Sequence, residues 1–428
     1  MLLLALACSR STPDPDAEDV LIVVVDSLRA DALDAGKAQD ATPALRALES
    51  ESVVFRRAYA SAPWRLPSMA TLLTGLQPWE HLAVRDVLMP GRFGVLSRWH
   101  ETLPETFQDR GYRTAAWMGS SILSAELGLD QGFDRYTAEP LDGDVPTSKE
   151  TVGEFLEWVD SGEGPYFAVV HLLDPMPPYA PAEVCAGRFT SDSAMQGPTT
   201  EADTARWRER RPEDPETDFV RAIYLEEVCT SDEAIGELIE GLEGRGRWER
   251  TTLVVTSDHG DELWDWGNYG HGHSVHSVLT HVPLLVRSPG LEAHENRSIV
   301  GHAEFVRALR DQRGPVWKLM ETGASVEGRT AFSDAPSKTL DQLTYIDEER
   351  RVILMPDSKS AIIWALDERG WEKEVASVYT SEKRLRESPE YARLAEVVEE
   401  PLDPVLPAWT SRRDDVYTDA WKKLHEEP

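Results

Sequence analysis

At 428 residues the chain exceeds what a single simple core usually fills, and its 41% of apolar residues can bury a sizeable site. A formal net charge of −32 argues against nucleic acid and anionic membrane surfaces as electrostatic partners. These numbers predict one large α/β domain with an appendage, or two ordinary domains.

The chain opens with "MLLLALACSRSTPDPDAED", apolar as far as Cys8 and then a tether rich in Pro, Asp and Ser. This reads as the end of a secretory signal. Ala5-Leu6-Ala7-Cys8 is similar to a bacterial lipoprotein cleavage box, although its leucine is displaced and no basic segment precedes it. Lipidation at Cys8 would place the protein in the bacterial periplasm or cell envelope, held to a membrane only through that anchor; the competing reading is an unprocessed apolar terminus. No later run approaches the roughly 18 apolar residues of a spanning helix. Export would also put Cys185 and Cys229 where a disulfide can form, against the alternative of two separate buried thiols.

From Val20 onward four segments share one design, a near-continuous apolar run ending in polar residues: "VLIVVVDS", "RTAAWMGSS", "YFAVVHLLDP" and "TTLVVTSDHGDE". They read as buried parallel strands feeding one carboxyl edge. Helical patterns fall between them in "TPALRALESES", "LPETFQDRG" and "AIYLEEVCTSDEAIGELIEGLEGRG", the last closing on glycines that suit a C-cap. Such alternation predicts an α/β fold, a helix-flanked and mostly parallel sheet with its sites at the strand carboxyl ends. Residues 189–219 turn polar without a clear period and are expected to form a surface insertion that could serve as a lid. Past "HVPLLVRSPG" the pattern weakens. The strand-like pieces "LTYIDEERRVILM" and "SAIIWALDERG", with a charged helix near "SEKRLRESPEYARLAEVVEE", predict a small C-terminal α+β subdomain. The expected organisation is a signal-like segment and tether over 1–18, a main unit over 19–327, and a C-terminal subdomain and tail over 328–428.

The stretch "SAPWRLPSMATLLTG", residues 61–75, reads as a loop entering a helix, with Pro67 suited to the first turn, Ser68 able to cap, and Met69, Leu72 and Leu73 as an apolar stripe. Helix N-termini attract anions, yet Arg65 puts a cation at the mouth of this one. Asp26 ends the first strand and Asp258 with His259 ends the fourth. Two carboxylates and an imidazole are therefore expected to converge on one edge, a set suited to a divalent cation. Taken singly, an Asp after a strand is more often a turn or helix cap. Five of the 11 histidines fall between His259 and His281. His271 and His273, in "GHGH", have flanking glycines that allow close approach to a small anion, whereas His276 and His281 read as members of a solvent-facing aromatic loop.

In this order the segments resemble the sulfatases of the alkaline phosphatase superfamily. "DVLIVVVDSLRADAL" is similar to the family's first metal strand, and "ATPALRALESESVVFRRAYASAPW" with "LPSMATLLTGLQPWEH" to its nucleophile region. "LPETFQDRGYRTAAWMG", "LGLDQGFDRY", "VVHLLDPMPPY", "LEEVCTSDEAIGELIEGL", "TLVVTSDHGDEL" and "GHGHSVHSVLTHVPLLVRSPG" complete the likeness, from Val20 to Gly290 with a fainter echo beyond. The resemblance implies an alkaline phosphatase-like fold and hydrolysis of a sulfuric or phosphoric ester. It implies that Asp26, Asp258 and His259 hold one divalent cation, calcium before magnesium or manganese. Ser27 stands where many members carry a second aspartate. His271 and His273 fall in the region that supplies a cation or general acid to the ester oxygen, and His171 in a segment that binds substrate. His81 matches a family histidine read as structural support.

Two positions depart from the family pattern. Arg65 occupies the nucleophile position, a cysteine or serine converted to formylglycine in sulfatases and a threonine or serine in phospho-transferring relatives. No formylglycine is therefore expected, and a guanidinium, always protonated, cannot attack sulfur or phosphorus. Met176 replaces a histidine that hydrogen-bonds the ester. In one reading Arg65 clamps the ester beside the cation while water, or a hydroxyl such as Ser61, Ser68 or Thr71, attacks. In another Arg65 neutralises Asp26 and Asp258 in the cation's stead, leaving a pseudoenzyme that binds an anion or a sulfated or phosphorylated glycan. A third, transfer of a phospho-headgroup onto a glycan or lipid, lacks its threonine. The expected partner is an anionic ester, carried on a glycan or a lipid headgroup.

Overall fold

The computed structural model describes residues 17–33, 37–84, 93–138, 146–323, 331–335, 342–355 and 360–379. Its first strand, β1 (Asp19–Val25), is buried along its whole length. The strands β2 (Val53–Tyr59), β3 (Arg113–Met118), β4 (Arg135–Ala138), β5 (Tyr166–Leu172) and β6 (Thr251–Thr256) join it in one sheet. After β6 comes a short ribbon, β7 (Glu262–Leu263) with β8 (Tyr269–Gly270). The chain then returns to the sheet as β9 (His281–Val282), β10 (Leu284–Arg287) and β11 (His294–Gly301). The order across the sheet is β11-β2-β10-β6-β1-β5-β3-β4, with β9 against β2. The four apolar runs of the sequence are β1, β3, β5 and β6, neighbours that all run parallel, while β10 is antiparallel to β6.

β1 shows why its sequence lacks alternation. Leu21, Val23 and Val25 share one core layer with Ile223, Val228 and Ile235 of the helix Asp214–Gly244. Val20, Ile22 and Val24 face the other layer, with Met69 and Leu72 of the helix Arg65–Thr74 and with Phe305. Both faces are covered, so every position is apolar, and each fully buried aliphatic side chain contributes about 1.5–3 kcal/mol.

The helices Pro43–Glu49 and Leu103–Asp109 form where the pattern places them. The long helix begins at Asp214, earlier than the expected Ala222, because Pro215 and the acidic Asp214 and Glu216 suit a first turn. The polar stretch 189–219 is also less irregular than expected. It contains the helix Glu201–Glu209, opened by a capping box between Thr200 and Asp203. Trp207 of that helix is buried against Tyr269, ring centroids 5.4 Å apart, and against Trp264. Cys185, just before this stretch, is joined to Cys229 of the long helix in a disulfide.

A second sheet is wholly antiparallel, in the order β12 (Ala331–Ala335), β13 (Gln342–Ile346), β14 (Arg350–Met355), β15 (Ser360–Leu366) and β16 (Glu372–Tyr379). Tyr59, Ile299, Ala331 and Ile346 pack it against the first sheet, and Arg57 Nη2 donates to the Asp347 carbonyl (3.0 Å). Cys8 with the signal-like segment, and the charged helix expected near residue 390, lie outside the described residues. Among the described residues no helix is long and apolar enough to cross a membrane.

Candidate functional site

Register assembles the site. Val24 of β1 pairs with His171 of β5 on one side and with Thr256 of β6 on the other. Asp26 and Asp258 each lie two residues beyond that level, so both carboxylates leave the sheet together, beside His171. The Asp26 N–H donates to the Leu172 carbonyl (2.9 Å), carrying the strand pairing one residue further. Ser27 then turns in a left-handed backbone, φ 60°, and its hydroxyl donates to Asp26 Oδ1 (2.8 Å). At Gly260 a Cβ would overlap the Val278 carbonyl, so only glycine lets the His259 turn lie against the later histidine segment.

Ligand atoms of Asp26, Asp258 and His259, all buried, lie within 4.8 Å of one another. His259 Nδ1 is 2.9 Å from the Gly260 carbonyl, which only the protonated nitrogen can satisfy, so Nε2 carries the lone pair. That Nε2 is 3.6 Å from Asp258 Oδ2 and 3.8 Å from Asp26 Oδ1. His171 Nε2 stands 3.5 Å from Asp26 Oδ2 and 3.6 Å from Asp258 Oδ2. Asp258 Oδ2, His259 Nε2 and His171 Nε2 are buried and have no hydrogen-bond partner. Orphaned donors of this kind around two carboxylates fit a divalent cation. Burial works against ionisation of Asp258, but His259, His171 and Arg65 together hold its carboxyl well below the usual range.

Arg65 is the first residue of its helix, whose N-cap is Trp64. The expected cap, Ser68, lies a turn inside and donates instead to the Ala62 carbonyl (2.7 Å). Arg65 Nε donates to Asp26 Oδ2 and Nη2 to Oδ1 (3.3 Å), while Nη2 also touches Met176 Sδ. Thr71 is equally occupied, its Oγ1 3.1 Å from Nε2 of the buried His81. His81 accepts from the Ala83 N–H at Nδ1, and burial with His100 nearby pushes its imidazole down to about 3. Of the three candidate hydroxyls, Ser61 alone keeps a buried oxygen without a partner.

The two histidines of "GHGH" part company. His271 lies 4.3 Å from His259, ring to ring, with Nδ1 3.0 Å from Asp261 Oδ1. Burial and His259 lower its pKa, opposed by Asp261. His273 turns away to Glu262, Nε2 to Oε2 2.7 Å. His276 and His281 do not face solvent as expected. His276 sits between Trp266 and Trp364, and His281, buried between Tyr59 and Trp371, is 2.9 Å at Nε2 from the Arg56 carbonyl. The second sheet covers both. Asp261, which orients His271, was not singled out from the sequence; its place in the acidic run "DHGDE" was the available signal.

The family model described as Sulfatase matches residues 18–314. An ulvan-active sulfatase of Formosa agariphila is 25% identical over 329 residues, covering 67% of this chain and 59% of its own length. Human iduronate 2-sulfatase is 25% identical over 380 residues, covering 74% of this chain and 67% of its own. The chain thus spans less than two thirds of the first of these relatives. A phosphonate monoester hydrolase from Silicibacter pomeroyi superposes with a TM-score of 0.66 at 18% identity, over 89% of this chain and 94% of that one. A protein solved in complex with its substrate D-glucosamine-2-N,6-O-disulfate gives 0.65 at 16% identity, over 94% and 98%. The solved structures share the fold.

Proposed function

The chain belongs to the sulfatase family, and from that premise we propose that its pocket takes a sulfuric or phosphoric monoester and hydrolyses it by direct attack of water, without a covalent ester on the protein. One observation carries this reading: position 65 presents a guanidinium bound to Asp26 instead of an attacking oxygen, while the cation ligands and His271 remain in place. A divalent cation held by Asp26, Asp258 and His259 would act as a Lewis acid on the ester oxygens. Arg65, whose Nε and Nη2 donate to Asp26, turns its Nη1 donors to the same anion. His271, its Nδ1–H turned to Asp261, offers the Nε2 lone pair as a base. Water attacks sulfur or phosphorus, the bond to the alcohol oxygen breaks, and the proton taken up by His271 passes to the released alkoxide. Loss of a nucleophile removes about 10⁴ to 10⁶ of rate, so turnover is slow.

The names of the relatives favour a sulfated glycan as substrate, with a phosphoric ester second. The reading extends to export and lipid anchoring at Cys8, supported by the Cys185–Cys229 disulfide, which belongs to oxidising compartments. Mass spectrometry of the native N-terminus tests that part.

A second reading, a protein that binds the ester without turnover, is favoured by the Arg65–Asp26 ion pair, which can stand in for a cation. Reaction of an aryl sulfate and an aryl phosphate in ¹⁸O-water, with calcium, magnesium and manganese supplied, separates the two. Slow product release with solvent oxygen in the anion and no protein adduct is expected. Binding of the ester with no product at all would establish the second reading.

A further inference from the structure

Little of the ester pocket is open to solvent. The side chains of Asp26, Asp258, His259 and His171 are fully buried, and those of Arg65 and His271 are only 11% and 18% exposed. An ester that contacts these groups needs an element that moves aside to admit it.

Two walls of the pocket meet at one aromatic plug. One wall is the segment after β5, where Met176 touches Arg65 and Tyr179 follows three residues on. The other is the β7–β8 ribbon, where Tyr269 precedes His271 by two residues. Trp207, on the helix Glu201–Glu209, is buried between them, its ring 6.4 Å from Tyr179, 5.4 Å from Tyr269 and 6.4 Å from Trp264. Behind it the Tyr269 hydroxyl donates to that of Tyr179 (3.2 Å). The next residue, Arg208, lies along the ribbon, with Nε 3.9 Å from where a Cβ on Gly270 would stand.

The helix that carries the plug has little else to seat it. Of its nine residues only Thr204 and Trp207 are buried. Its ends are tied down. Before it, Thr199 is pinned to Tyr179 by two hydrogen bonds, Thr199 N–H to the Tyr179 carbonyl (2.8 Å) and Tyr179 N–H to Thr199 Oγ1 (2.7 Å). After it, the exposed Arg210 and Arg211 lead into the long helix, whose Glu216 accepts from Trp207 Nε1 (2.8 Å) and Arg206 Nη2 (2.5 Å). An element fixed at both ends and seated by a single side chain opens at low cost, and its terminal residues absorb the movement.

We infer that the helix Glu201–Glu209 is a gate over the ester pocket, with Trp207 as its latch and hinges at Thr199 and residues 210–213. With Trp207 in its socket, the Met176 wall and the His271 wall are held together and the pocket is shut. When Trp207 leaves, the walls part and the ester or its products pass. This rests on the function proposed above only for what passes through the gate.

Hydrogen exchange of the full-length protein, followed by mass spectrometry, reads the gate directly. Corrected for intrinsic rates, amides of the helix should exchange at least about a hundredfold faster than those of β1 and β6. Access is read with diethylpyrocarbonate, which acylates neutral imidazoles. Trp207→Ala should speed modification of His271 by about tenfold or more, with no matching change at the partly exposed His100, and Trp207→Phe, which refills the socket, should return it toward wild type. Protection of the helix equal to that of β1 would overturn the gate. So would a His271 rate unchanged by Trp207→Ala, or one that rises only in step with His100, since that is general loosening. The wild-type exchange stands even if Trp207→Ala does not fold. Neither readout needs a cation, an ester or turnover, so failure of the gate and failure of the proposed hydrolysis are told apart.

Discussion

Arg65 reaches from the first turn of its helix to both carboxylate oxygens of Asp26, a carboxylate with no exposure to solvent. A buried carboxylate stripped of its partner costs about 3–5 kcal/mol, so Asp26 demands either the guanidinium or a metal ion. Arg65→Met should therefore destabilise the protein in EDTA by about that amount. Calcium, magnesium or manganese should restore much of the loss, with cation affinity about tenfold or more above wild type because the competing charge is gone. Melting curves with and without each cation check this. An equal loss under both conditions would show that the cation does not use Asp26.

An ion pair within the second sheet holds the groups that grip the histidine segment. Arg351 Nε lies 3.2 Å from Glu372 Oε1, and both side chains are buried. Glu372 Oε1 accepts from the Ser277 N–H (2.8 Å), while Arg351 donates to the Val275 carbonyl and to Thr280 Oγ1 (2.9 Å). Burial opposes the Glu372 charge, but Arg351 and His276 hold its carboxyl down at about 2, against an ordinary value of 4.5. A folded pKa below the unfolded one adds stability above pH 4.5 that is lost as pH falls toward 2, on the order of 3 kcal/mol. Glu372→Gln should lose a similar amount at pH 7 and converge on wild type near pH 2 to 3 in urea titrations. A pH-independent gap between the two would remove the ion pair from the account.

The disulfide closes a loop with a sequence separation of 44, which in the chain-entropy view is worth about 4 kcal/mol, with 2–4 more usual in practice. Reductant should lower the melting temperature and expose the chain around residues 180–200 to proteolysis first. Thiol titration of unfolded, unreduced protein should leave Cys185 and Cys229 silent. Reactivity of both before reduction would contradict the bridge.

What could be read from the sequence follows from where its physics is local. A strand covered on both faces must be apolar throughout, so β1, β3, β5 and β6 announce themselves, and polar residues at their ends mark the working edge. The meeting of Asp26, Asp258 and His259 was legible as a consequence of that edge. His171 was legible only as a substrate contact, because nothing in "VVHLLDP" says that β5 lies beside β1 with His171 level with Val24. The helix carrying Trp207 was illegible, since one buried side chain among polar ones leaves no period. His276 and His281 misled for another reason: nothing near them in sequence shows that Trp364 and Trp371, far along the chain, close over them.

The two departures from the family pattern touch each other, Arg65 Nη2 against Met176 Sδ, and so are not independent changes. Arg65→Thr alone supplies a hydroxyl but leaves a thioether where an ester would need a donor. Met176→His alone sets an imidazole against a guanidinium that already occupies Asp26. Residues in contact couple by about 0.5–3 kcal/mol, so the double variant should exceed the product of the two single effects by up to about a hundredfold in kcat/KM. The assay is an aryl sulfate with calcium supplied, read across all four members of the cycle. Supra-additive gain means that the pocket retains the geometry for attack by a protein hydroxyl and lost that route through two linked substitutions. Purely additive behaviour would mean that Arg65 and Met176 act separately, and loss in every variant lacking Arg65 would mean that Arg65 itself serves the water route as the clamp on the ester.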